Sequence, residues 1–126
     1  MKLIVVKTNN TTEVKEFSLP LYQSLGEAVG GYFEVVRPRC MPKGYCFVCN
    51  DNGHALQLSL NLIASALYGH GPVVGDIVIC LEGFTEEGPD FIAIDDKEFD
   101  FITQWINKAI NVITKASADE ITSKHI

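Results

Sequence analysis

A chain of 126 residues, 47% of them apolar, is long enough to bury one core without metal or disulfide staples. Ten Lys and Arg against sixteen Asp and Glu give a formal charge of −6, which argues against non-specific binding to duplex nucleic acid, because that depends on many phosphate contacts. The opening apolar run is cut by Lys7 before it reaches signal-peptide length, and no run reaches membrane-spanning length. The expectation is therefore a cytoplasmic chain with reduced cysteines and no membrane partner.

Residues 2–7 form a continuous apolar run with charged ends, too short for a helix and rich in β-branched side chains, which predicts a buried strand. Asn9 and Asn10 predict a turn, and residues 12–17 a second strand in a hairpin with the first. Ser18 is read as an N-cap with Pro20 near the first helical turn. Leu21, Leu25, Ala28 and Val29 then recur at helical spacing until Gly30 and Gly31 stop the helix. Residues 32–36 are aromatic and β-branched and read as a strand. Alternation places Tyr32, Glu34 and Val36 on one face and Phe33, Val35 and Arg37 on the other, and Pro38 ends the strand beside Arg37 and Arg39.

Residues 41–44 read as a loop and 45–50 as a strand. Asn50-Asp51-Asn52-Gly53 predicts a tight turn, with residues 54–60 returning as a strand or as an extended approach to a helix. Asn61 is positioned to cap that helix, whose apolar face holds Leu62, Ile63, Ala66 and Leu67, and glycines at 69 and 71 end it. Strands are predicted over 73–81 and 91–94, separated by an acidic, Gly-rich loop.

Asp95 and Asp96 open the longest helix, roughly twenty residues or about 30 Å, with acidic residues at its start and Lys108 and Lys115 toward its end. Phe99, Ile102, Ile106, Ala109, Ile113 and Ala116 make its apolar stripe, widened by Phe101, Trp105 and Val112. Such a stripe predicts a helix packed on the sheet or at a homo-oligomer interface. Residues 1–116 read as a single domain and 117–126 as a polar tail. The order β-β-α-β-β-α-β-β-α gives an α+β fold with a mostly antiparallel sheet.

Three blocks, VGGYFEVV at 29–36, VCNDNGHALQLSLN at 48–61 and GPVVGDIVI at 71–79, resemble the domain of unknown function 3846 family over about residues 1–98. The resemblance implies a small protein of bacteriophages, plasmids and their bacterial hosts, with no catalytic residues to carry over. By association it implies a counter-defence factor.

Cys46-x2-Cys49 followed by His54 is three quarters of a zinc knuckle, but the fourth ligand position falls on Ser59, and cysteines three apart on a strand face opposite ways. The cysteines are read as small buried hydrophobes, and no metal is expected. A thiolate at Cys40, Cys46, Cys49 or Cys80 needs a neighbouring base, and His54 and His70 are the histidines inside the fold, so a Cys/His enzyme is the weakest reading. Glycines 69, 71 and 75 lack the Gly-Lys-Ser/Thr of a phosphate loop, and no cofactor is expected.

The remaining cluster is Arg37, Arg39 and Lys43, with Tyr32, Tyr45, Asn50 and His54 nearby. Guanidinium forks suit phosphate or carboxylate, and tyrosines stack on bases. The leading expectation is a non-enzymatic module that binds or sequesters a small anionic, nucleotide-like ligand. The alternative is a module that inhibits a host protein through its acidic surface or its wide apolar helix.

Overall fold

A computed structural model describes residues 1–124, with side chains described to residue 115. The elements in order are β1 (Lys2–Val6), β2 (Thr12–Glu16), α1 (Leu21–Val29), β3 (Phe33–Val36), β4 (Tyr45–Asn50), α2 (Leu62–Tyr68), β5 (Ile77–Thr85), β6 (Gly88–Ile92) and α3 (Asp96–Lys124). The strands form one antiparallel sheet of six in the order β2-β1-β5-β4-β3, with β6 paired to the outer half of β5. The α+β fold and its element order are those the residue pattern predicts. The expected polar tail at 117–126 lies outside the described side chains, and its last two residues lie outside the described residues altogether.

The continuous apolar runs of β1, β4 and the first half of β5 become the three central strands, covered on both faces. Asn50 and Tyr45, five residues apart on β4, face opposite ways. Asn50 Nδ2 donates to Val29 O at the end of α1, while the Tyr45 hydroxyl reaches Glu98 on α3. Helix α1 therefore lies on one face, and α2 and α3, packed on each other, lie on the other. Phe47, Ile79, Ile63 and Ile102 are fully buried on the α2–α3 side.

Two buried asparagines pin the connections. Asn61 accepts from Ala64 N through Oδ1 (3.0 Å), capping α2, while its Nδ2 donates to Val6 O and Gly75 O (both 2.9 Å). One amide thus ties the end of β1 to the start of α2 and the approach to β5. At the end of α1, Gly30 (φ +86°) and Gly31 (φ +155°) both donate to Gly26 O, which closes the helix as the paired glycines predict.

Several boundaries differ from expectation. Residues 54–60 do not return as a strand, because β4 already pairs β3 on one side and β5 on the other and offers no free edge. The chain instead turns through 51–57, with Gln57 at positive φ, and residues 58–60 approach α2 with one isolated Leu60–Val74 bridge outside the sheet. Ser18 does not cap α1. Pro20 occupies the cap position without a side-chain bond, and Ser18 O accepts from Ser24 Oγ. The acidic stretch expected as a loop is the tip of a hairpin: β5 continues to Thr85, and Glu86 and Glu87 make the turn into β6. Thr85 Oγ1 donates to Gly88 O and accepts from Glu87 N, bonds that brace the turn at the end of the ladder.

Candidate functional site

The β5–β6 hairpin extends past the ends of β1 and β4 and stands beside the β3–β4 connection. Register pairs Glu82 with Phe91 and Phe84 with Pro89, so these four side chains share one face of the hairpin. Gly83 lies on the opposite face, where a Cβ would stand 2.7 Å from Ile92 Cδ1, and its lack of a side chain lets the hairpin close. Across from the hairpin stand Arg37, at the exit of β3, and Lys43 and Gly44, at the entry to β4. Together these residues line an open cleft of about 490 Å³, a volume in the range of small-molecule sites.

The charges of the cleft are partly balanced. Arg37 Nη2 lies 2.7 Å from Glu82 Oε1, and the Asp90 carboxylate is turned onto the amide of Phe91 (2.7 Å). Lys43 is exposed and makes no ion pair among the described residues. The Phe84 ring is 89% exposed on the cleft wall, while Phe91 is half-buried behind it. A water-facing ring beside an exposed ammonium and an arginine held by one carboxylate can stack on a planar group and bind an anion attached to it.

The residues expected to form one site are distributed over several places. Arg37 and Lys43 meet in the cleft. Lys43 also borders, with Pro42, a shallower hollow that contains Tyr45, Lys97, Glu98 and Phe101. Tyr45 is buried there, its hydroxyl held by Glu98. Arg39 turns toward α2, with its side chain against Gly69 and its N–H donating to Tyr68 O (2.7 Å). Asn50 and His54 line a small hollow of about 120 Å³ with Glu34, Cys49 and Tyr68. Tyr32 is 87% exposed, and its carbonyl accepts from Asp51 N. Glu82, Phe84, Pro89 and Phe91 are absent from the site expected from sequence, because residues 82–90 read as an acidic loop and Phe91 as the start of a separate strand. The alternation of Glu82 and Phe84 around Gly83, followed by Glu86-Glu87-Gly88, was the available signal of a hairpin.

The hollow that holds Cys49 and His54 has the ingredients of a nucleophile–base pair but not the electrostatics. Burial, with the Glu34 carboxylate beside it, pushes the Cys49 thiol up to about 11. Its Sγ points at Glu34 O and Oε1, both 3.9 Å away. A thiol held protonated in this way is a poor nucleophile near neutral pH. On the other face of β4, Cys46 Sγ lies 3.7 Å from Cys80 O. A hydrogen bond to Cys46 and then burial push the Cys80 thiol upward. Among the described residues no group of three or more His, Cys, Asp or Glu is arranged to hold a metal ion, and no described helix is long and apolar enough to cross a membrane.

No curated protein and no solved structure matches the chain. A family description, domain of unknown function (DUF3846), matches residues 1–107, which takes in the whole sheet, α1, α2 and the first turns of α3. The match extends past residue 98, where the sequence resemblance ends, and includes Ile102 and Ile106, which seal the core beneath α3. The chain therefore belongs to the DUF3846 family.

Proposed function

We propose that this protein is a non-enzymatic binding module whose site is the cleft between the β5–β6 hairpin and the β3–β4 connection, and that it holds a small anionic, nucleotide-like ligand. The observation that carries the reading is the placement of the exposed Phe84 ring, the exposed Lys43, which makes no ion pair among the described residues, and the Arg37–Glu82 pair around one space of about 490 Å³. A base stacked on Phe84 leaves its phosphate within the field of Lys43 and Arg37, and Glu82 can accept from a sugar hydroxyl or base amino group. Mixed charge of this kind favours a ligand carrying both donors and a phosphate over inorganic phosphate alone. Arg39, Tyr32, Tyr45, Asn50 and His54 lie outside this cleft and take no part in the reading.

A sequestering role in the bacterial cytoplasm accords with the mobile-element setting that the family resemblance implies, and counter-defence is the biological form we assign to it. The second reading, inhibition of a host protein, draws on the exposure of Phe84 and of Phe101 and Val112 on α3. Calorimetric titration of the full chain with mononucleotides, dinucleotides and cyclic dinucleotides tests the first reading. Saturable heat that is lost in Phe84→Ser supports it. Absence of heat across the set, with a host protein retained by the parent chain and released by Phe84→Ser, supports the second.

A further inference from the structure

The geometry points to a second copy of this chain as the partner of the β2 edge, with the two sheets joined antiparallel about a two-fold axis through Val14. This places the homo-oligomer contact on β2 and not on the α3 stripe. Strand β2 is an outer strand of the sheet, and all five of its residues are exposed, so among the described residues no helix overhangs either face and a second sheet has a clear approach.

The ladder with β1 fixes which backbone groups remain free. Phe17 N donates to Met1 O (2.8 Å) and Lys7 N donates to Thr11 O (2.9 Å). In an antiparallel pair such bonds recur at every second residue, so Glu13 and Lys15 turn their backbone groups toward β1, while Thr12, Val14 and Glu16 turn theirs outward. A two-fold axis at Val14 sets Val14 against Val14 and Thr12 against Glu16 of the other copy. Each outward N–H and C=O then finds a partner.

Charge selects this register. With the axis at Val14, Glu13 of one copy stands opposite Lys15 of the other on both sides of the centre, at a non-hydrogen-bonded position where Cα atoms come within about 4.5 Å. Moving the axis by one residue in either direction sets Glu13 against Glu13 or Lys15 against Lys15, which is repulsive. Edge charges usually block strand addition. Here their spacing about Val14 makes the strand complementary to itself in one alignment. Val14, 57% exposed in the isolated chain, becomes covered by its own symmetry mate.

Sedimentation of the full chain across a dilution series tests this with a charge-swap set. The parent chain is expected at twice the single-chain mass, and Glu13→Lys and Lys15→Glu each at the single-chain mass. An equimolar mixture of the two variants is expected to return to the doubled mass, since every cross-strand charge pair is then opposite. Val14→Pro removes an outward N–H that the β1 ladder does not use, and is expected to give single chains with an unchanged circular dichroism spectrum. A parent chain of single mass throughout overturns the proposal. So does a doubled mass that survives in both charge variants and in Val14→Pro, because the contact then lies elsewhere.

Discussion

Replacing Asn61 by alanine removes three hydrogen bonds at once from a fully buried position. Loss of the cap on Ala64 N costs about 1 kcal/mol. Loss of each bond donated by the buried amide, to Val6 O and to Gly75 O, costs about 1 kcal/mol more. The total of about 3 kcal/mol corresponds to a fall of roughly 10 °C in Tm for a domain of this size. Asn61→Asp separates the contributions. Its carboxylate can still accept from Ala64 N but faces two carbonyl oxygens, so burial and repulsion raise its folded pKa above the unfolded value of about 3.9. The folded state then binds the proton more tightly. The variant is therefore closest to the parent below about pH 4 and loses stability as pH rises through the raised pKa. Thermal unfolding followed by circular dichroism between acidic and mildly alkaline pH reads both effects. A Tm for Asn61→Ala within about 2 °C of the parent, or an Asn61→Asp deficit that does not grow with pH, refutes the reasoning.

Phe84→Ser is expected to leave Tm unchanged within about 0.5 kcal/mol of stability, because the ring is exposed, while abolishing ligand heat; equal loss of both contradicts a surface role. Lys43→Ala is expected to weaken nucleotide binding about 10-fold, the usual worth of a hydrogen bond to a charged group, read by calorimetry. In the native chain the exposed Cys40 is expected to react first with a thiol reagent at mildly alkaline pH, with Cys46, Cys49 and Cys80 reacting only on unfolding; four equally fast thiols contradict the burial seen here. The Cys49 thiol is raised to about 11 from an ordinary 9.0, so the folded chain holds that proton longer, and stability from this group falls as pH rises across that interval; denaturant midpoints at pH 8 and above follow it, and a Cys49→Ser variant is expected to lose that part of the slope.

Much of the architecture was legible because the signals were local. The runs at 2–7 and 73–81 read as strands from their β-branched content, although the second pairs only from Ile77 onward, and Asn61 and Gly30 mark helix ends through side-chain and backbone chemistry. The failures share a different cause. Whether Asn50 to Gly53 turns a hairpin depends on a free edge beside β4, which residues far away in sequence had already occupied. The β5–β6 hairpin was hidden because Glu82, Phe84, Glu86 and Glu87 look like loop residues when their exposure on an arm beyond the sheet is unknown. The basic cluster reads as one surface in the sequence, yet Arg37 pairs with Glu82 on the hairpin and Arg39 lies against the end of α2. Sequence proximity identified Arg37 and Lys43 but did not supply the aromatic wall opposite them.

The proposed cleft is tested most directly by calorimetry of the full chain against a nucleotide panel, with inorganic phosphate as the comparison and Phe84→Ser and Lys43→Ala as paired variants. The account predicts saturable heat with at least one nucleotide, little or none with phosphate, weaker binding in Lys43→Ala and none in Phe84→Ser. Heat with no member of the panel, or heat that both variants retain in full, would contradict it.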